Sequence, residues 1–330
     1  MIELPPAPDA VVDPATGIAR VGSFQGSFAR VDLSRLSNPI ALRLIRKRWM
    51  YVAMTRGPIF VAAAVIDLGY SGAAFAFVYD ASARRLLVDA SAVGLFAHVS
   101  DTVLGGSHAS FRSRALSVDI TRPRGSDSYA VRATAKGLDL DVSLDAADAP
   151  AALAAVMELE PGRVSVTEKR ALLAVNGHVN AGGADHALDG GLAGYDYTHG
   201  LMPRRTRWNW AFLLGHDDTG EPIAINLVGS DAGALECGVF TRQGPSRVSL
   251  GRFAFDEANM VGPWSVSTGD DAVKLDFESG AAHFERRNLG LVRSRFAQIA
   301  GAFTGSIVTP SRTVHVARAL GVVEEQDVVW

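Results

Sequence analysis

Apolar and polar residues alternate with a period of two along much of this chain, and no other feature limits the fold as strongly. Leu138, Leu140, Val142 and Leu144 alternate with Asp139, Asp141, Ser143 and Asp145, and Val273, Leu275 and Phe277 alternate with Lys274, Asp276 and Glu278. Successive side chains of an extended chain point to opposite faces, so these segments predict strands with one buried and one solvated face. Clusters of glycine, aspartate and serine at 124–128, 217–220 and 268–271 punctuate them as hairpin turns do. The greasy run 59–66 is far short of the roughly 20 residues a membrane helix needs and predicts a buried strand. Helix is expected only at 37–48 and 146–159.

At 330 residues the chain exceeds the size at which one core stops growing, so two cores are expected. The glycine-rich polar stretch 176–191 reads as a linker or wide loop and sets the expected division at 1–190 and 191–330. The predicted fold class is therefore mostly β, with two antiparallel β-barrels or sandwiches packed together.

A formal net charge of −3, from 32 basic and 35 acidic residues, gives no long-range field that would recruit nucleic acid or an anionic membrane. Cys237 is the single cysteine and can form neither an internal disulfide nor a cysteine metal cage, which fits a reducing compartment. The N-terminus lacks the basic start and apolar stretch of a secretory signal, so a cytoplasmic location is expected. No integral membrane span is predicted, transient membrane contact stays open, and the oligomeric state is not read from the sequence. Phosphate-binding loops, nucleophile elbows and dinucleotide fingerprints are absent, so no cofactor is expected and redox or phosphoryl-transfer chemistry is disfavoured.

One region stands apart: Gly-Tyr-Asp-Tyr-Thr-His-Gly at 194–200, followed by an arginine- and tryptophan-rich stretch to Phe212. If 205–213 is extended, Thr206, Trp208, Trp210 and Phe212 share one face, and Arg205, Arg207 and Asn209 the other. Asn226, among apolar neighbours, must be hydrogen-bonded or face a polar cavity. These residues form a candidate ligand site in which Arg205, Arg207, Asn209 and Asn226 hold a carbonyl or carboxylate, while Trp208, Trp210 and Trp264 pack an apolar body. The alternative is that the tryptophans only anchor core packing, and Trp264 and Trp49 read most simply that way.

Asp196 and His199 are candidate catalytic residues, because a carboxylate beside an imidazole tunes its proton affinity; the plainer reading has Asp196 capping a turn and His199 on a surface loop. Glu236 is a third candidate, either an internal acid paired with a cation or an exposed strand carboxylate. A metal site using His186 lacks a compact ligand set, and none is expected. The triplet Arg46, Lys47 and Arg48 reads as a solvated edge.

At these residues the sequence resembles a bacterial family known as domain of unknown function 2804. The resemblance rests on the 194–200 motif, on Thr-Arg-Trp-Asn-Trp-Ala at 206–211 with Ile-Asn-Leu at 225–227, on Gly-Pro-Trp at 262–264 and on the glycine-bearing segment 298–305. It also takes in Thr-Glu-Lys at 167–169 and the acidic, tryptophan-ended segment 321–330. More distantly it is similar to paired lipocalin-like proteins such as carotenoid hydratases, tocopherol cyclases and fungal Diels-Alder cyclases. The resemblance implies two calycin-like barrels or sandwiches with an apolar ligand between or within them; it carries over no catalytic residue.

Three functions follow from these readings. The first is a cofactor-independent hydratase, cyclase or isomerase acting on an isoprenoid, polyene or polyketide. The second is a lipid or terpenoid carrier without chemistry. The third is a structural or interaction protein with solid cores. An acid facing an apolar cavity would favour the first.

Overall fold

The computed structural model describes residues 4–230, 233–288, 290 and 292–330. Among them, two antiparallel sheets account for nearly all regular structure, as the alternation predicts. The first sheet has 14 strands. Its central path runs from Arg85–Gly94 through Gly72–Asp80, Ile59–Asp67, Arg46–Arg56, Gly191–Leu201 and Arg163–Ala181 to Leu138–Asp145, and four further strands continue it. It curls on itself, so that Ile59–Asp67 and Gly72–Asp80 also contact the strands at the opposite edge. The second sheet has nine strands, centred on Arg205–His216, Thr313–Val329, Arg293–Val308 and Val273–Asn288.

The alternating segments fold as expected. In Leu138–Asp145 the leucines and Val142 are buried and the aspartates lie outward, and in Val273–Asn288 the odd positions Val273, Leu275 and Phe277 are buried. Ile59–Asp67 is a strand buried on both faces. One apolar cluster fills the curl of the first sheet, including Val52, Val61, Val118 and Leu140. A second joins the outer face of the first sheet to the concave face of the second, through Tyr51, Phe77, Phe212 and Phe303.

Three expectations are corrected. Segment 146–159 is not a helix: Leu153–Glu160 is a strand whose first five residues are all buried, and an apolar run buried on both faces loses its alternation. At 37–48 the helix is only Pro39–Ile45, capped by the Asn38 side chain accepting from the Ala41 N–H, and Arg46 already begins a strand. Stretch 176–191 is no linker: Arg163–Ala181 runs unbroken into it, then turns through Gly182 and Gly183, both at positive φ, into Ala184–Ala187. A tight hairpin needs that left-handed backbone, which glycine adopts freely. The expected division at 190/191 also precedes a strand, Gly191–Leu201, that lies in the middle of the first sheet. The chain passes between the sheets at 202–204, a connection too short to leave a compositional mark.

The basic triplet is not a solvated edge either. Lys47 is fully buried and donates to the carbonyls of Leu44 and Leu68 at 2.5 and 3.1 Å; burial brings its pKa down to about 8. Arg48 is buried against Asp67 at 2.5 Å and Asp101 at 2.9 Å.

Candidate functional site

Between the sheets lies a cavity of about 660 Å³, within the range of small-molecule sites. The first sheet contributes Trp49, Tyr51 and Phe75 to its wall, and the second contributes Trp208, Trp210 and Phe296. Strand parity explains the second set, since Thr206, Trp208 and Trp210 project from one face of Arg205–His216. Trp49 and Trp208 stack across the gap with centroids 6.0 Å apart and planes 13° apart; Tyr51 meets Trp210 edge-on at 5.1 Å. Gly194 permits this closeness, because a Cβ there would come within 2.7 Å of the Phe212 ring.

Charged groups are set into this apolar wall. Lys169 of the first sheet, 2% exposed, pairs with Asp196 on the neighbouring strand and with Glu236 of the second half at 3.1 Å. Burial works against the Lys169 charge, but the two carboxylates outweigh it and hold its pKa above the usual lysine value. Burial raises the Glu236 pKa, with Lys169 opposing. Among the described residues no cation forms an ion pair with Glu324. Its Oε1 accepts from Trp208 Nε1 at 2.8 Å and its Oε2 from Gln298 Nε2 at 2.7 Å, and Tyr51 Oη donates to Gln298 Oε1 at 3.5 Å. Desolvation dominates over these donors and pushes the Glu324 pKa up to about 7. An aromatic chamber thus holds an acid able to carry a proton near neutrality, beside an ion-paired trio with two carboxylates.

The structure brings Asp196, Glu236, Trp208 and Trp210 to this cavity, with Arg205 and Arg207 at its rim, where both face Asp327. Asp196 caps no turn, being within Gly191–Leu201, and Glu236 is buried rather than exposed. His199 is not beside Asp196. Three residues apart in one strand, they point to opposite faces, and His199 is buried inside the curl of the first sheet with neither ring nitrogen hydrogen-bonded. Burial and the nearby Arg48 lower its pKa to about 3. A surface position for His199 is equally excluded.

Asn209, Asn226 and Trp264 do not line the cavity. Asn209 Nδ2 donates to the Glu324 carbonyl at 3.4 Å. Asn226 lies behind the wall, accepting from Trp210 Nε1 and donating to the Glu236 carbonyl, both at 2.8 Å, so it fixes two cavity residues without touching the space. Trp264 packs on Phe255 at 3.7 Å and donates to the Met260 carbonyl. Trp49, expected only as a core anchor, is part of the wall.

Sequence reasoning missed Lys169 and Glu324. Both carried a weak signal, a charged residue in phase with apolar or small neighbours: Lys169 shares its face with Ser165 and Thr167, and Glu324 shares its face with Val322 and Val328.

Fold and cavity together define a mostly β protein of two packed antiparallel sheets with a chamber of small-molecule size between them. The chain belongs to the family described as domain of unknown function (DUF2804), whose profile matches residues 6–330. No curated protein matches the sequence. Similar solved structures include an AttH protein of Nitrosomonas europaea, with TM-score 0.56 and 14% identity over 85% of this chain and 92% of that one. CghA, crystallised with Sch210972, is similar with TM-score 0.53 and 11% identity over 85% of this chain and 87% of its own. Kievitone hydratase of Nectria haematococca is similar with TM-score 0.51 and 13% identity over 84% of this chain and 88% of that one. At these identities the likeness is one of fold.

Proposed function

We propose that the protein encloses a largely apolar small molecule, of the isoprenoid, polyene, lipid or polyketide kind, and acts on it by proton transfer without a cofactor. The observation that carries this reading is Glu324, a buried acid with its pKa near 7 on the wall of an aromatic cavity. The crystallised ligand of one similar structure and the hydratase name of another lend support by analogy of fold.

In the proposed step, protonated Glu324 gives its proton to one carbon of a double bond. The acid O–H bond breaks, a C–H bond forms, and the adjacent carbon is left cationic. The faces of Trp49, Trp208 and Trp210 and the carboxylates of Asp196 and Glu236 stabilise that charge. Water then adds and loses a proton to the Glu324 carboxylate, giving a hydratase; attack by an internal double bond moves the cation onto a ring that loses a proton to Glu324, giving a cyclase, and direct loss of a neighbouring C–H proton to Glu324 gives an isomerase. Asp196 and Glu236 are both engaged by Lys169, so the acid role passes to Glu324.

The test is incubation with an isoprenoid, polyene and polyketide panel in D2O, with products read by mass spectrometry. All three outcomes leave a solvent deuteron on carbon, and Glu324→Gln abolishes its incorporation. Tight binding with no deuterium gained by any ligand would leave a carrier instead.

A further inference from the structure

Both sheets stop together at one end of the molecule. Strands Arg46–Arg56, Gly72–Asp80, Arg205–His216 and Arg293–Val308 begin there, and Ile59–Asp67, Arg85–Gly94, Gly191–Leu201, Val273–Asn288 and Thr313–Val329 end there, as their antiparallel registers require. The cavity reaches this end, where Leu68, Tyr70, Pro203, Arg205 and Trp330 line it.

Large apolar side chains stand exposed around that mouth. Leu95 and Phe96 leave 76% and 83% of their surface uncovered, and Ile40, Leu44 and Tyr70 are exposed as well. They are neighbours in space. Gly72 pairs with Gly94, so Leu95 and Phe96 leave the sheet beside the 68–71 turn. The buried Lys47 ammonium ties that turn to the helix, bonding the carbonyls of Leu44 and Leu68 and lying over the Tyr70 ring. Ile40 and Leu44, one turn apart, share a helix face.

The second sheet adds charge at the same end. Register aligns Arg207, Asp327, Arg295 and Arg286 across four strands, and the next row holds Arg205, Val329 and Arg293. Five arginines thus share a face with Asp327 and Glu325, the carboxylates that pair with three of them. Exposed Arg43 adds a positive charge on the helix, whose backbone there lies beside Gly69 of the 68–71 turn. A chain of net charge −3 therefore has one basic, apolar-tipped end, and it surrounds the entrance to the cavity.

We infer that this end docks on an anionic lipid bilayer, so that an apolar ligand passes between membrane and cavity without crossing water. Leu95 and Phe96, with Ile40 and Leu44, enter the interface while the arginines meet lipid phosphates. The net negative charge gives no long-range attraction, and the contact acts within about a Debye length of 8 Å at physiological salt. No helix among the described residues is long and apolar enough to cross a membrane, and docking of this kind needs none. The inference goes beyond the proposed chemistry, since a carrier and an enzyme would both load this way.

The test is co-sedimentation of the whole protein with vesicles of phosphatidylcholine alone or mixed with phosphatidylglycerol. The wild type partitions onto the mixed vesicles and is released by salt. The pairs Leu95→Ser with Phe96→Ser, and Arg286→Glu with Arg293→Glu, each lower partitioning by about tenfold or more while melting like the wild type. Val308→Ser, at the far end of its strand, leaves binding unchanged. Wild type that ignores both vesicle types, or paired variants that bind as it does, would overturn the inference. So would a dimer that Leu95→Ser with Phe96→Ser converts to monomer in the absence of any vesicle binding, because the surface would then be a protein interface.

Discussion

Lys169 and Glu236 meet at 3.1 Å across the boundary between the two halves, Lys169 from a long strand of the first sheet and Glu236 from the turn after Gly233–Leu235. With Asp196 as the third member, the trio ties the sheets together on the cavity wall. Removing the cation strands two buried carboxylates.

Lys169→Met is therefore expected to destabilise the protein by about 3–5 kcal/mol, the usual cost of leaving a buried charge unpaired. Adding Asp196→Asn and Glu236→Gln to it recovers most of that loss, because no charge is then left without a partner. Urea denaturation of the single and triple variants checks both expectations; equal stability of the two would show that the trio is not coupled.

Glu168 faces the other way from Lys169, into the first sheet, where its Oε1 accepts from Ser27 Oγ and Tyr195 Oη at 2.6 Å each. Burial raises its pKa from 4.5 to about 7. The folded state thus holds this proton more tightly than the unfolded chain, and the contribution is fully present below about pH 4.5 and lost as pH rises through about 7. At about 1.4 kcal/mol per pKa unit, the swing is on the order of 3 kcal/mol. Glu168→Gln removes that dependence, so the variant gains stability relative to wild type between pH 4.5 and 8. A difference between the two that stays constant over this range would contradict the assignment.

The indole N–H of Trp208 is one of two donors that hold down the Glu324 pKa. Trp208→Phe keeps an aromatic wall and removes the donor, so the Glu324 carboxyl is expected to titrate above about 7. Infrared titration of the protonated carboxyl band, assigned by its loss in Glu324→Gln, measures the shift. A downward shift would mean that Trp208 does not serve the carboxylate.

His199, with its pKa lowered to about 3 by burial, is neutral in the fold at all ordinary pH. The unfolded chain takes up the proton below about 6.5, so the stability this group contributes is present above 6.5 and lost as pH falls toward 3. His199→Phe is expected to flatten the acid limb of a stability profile over that window. An unchanged acid limb would place the sensitivity elsewhere.

How far the sequence could be read depended on geometry within each strand. The faces of 205–213 and 138–145 followed from parity, and the hairpin that returns Arg205–His216 into Pro222–Gly229 followed from the turn cluster at 217–220. The same parity rule separates Asp196 from His199, once 194–200 is seen as a strand rather than a turn. Its flanking glycines hid that: Gly194 is present for close packing on Phe212, not for a bend. Leu153–Glu160 was hidden for the opposite reason, burial on both faces erasing its alternation. Lys169 and Glu324 lie 155 positions apart in the chain, and only the packing of two sheets puts them on one cavity. Glu324 in particular sits in an acidic run that resembles a solvated strand end, yet its register partner is Trp210.

Everything proposed of this protein's chemistry rests on the space between the sheets holding an apolar small molecule. Native mass spectrometry of the protein purified from its own host, followed by organic extraction, tests it most directly. A mass excess of one apolar molecule per chain is expected, lost when Ala64→Trp fills the cavity that Ala64 lines. An empty protein that also takes up nothing from an isoprenoid, polyene, lipid and polyketide panel would contradict it.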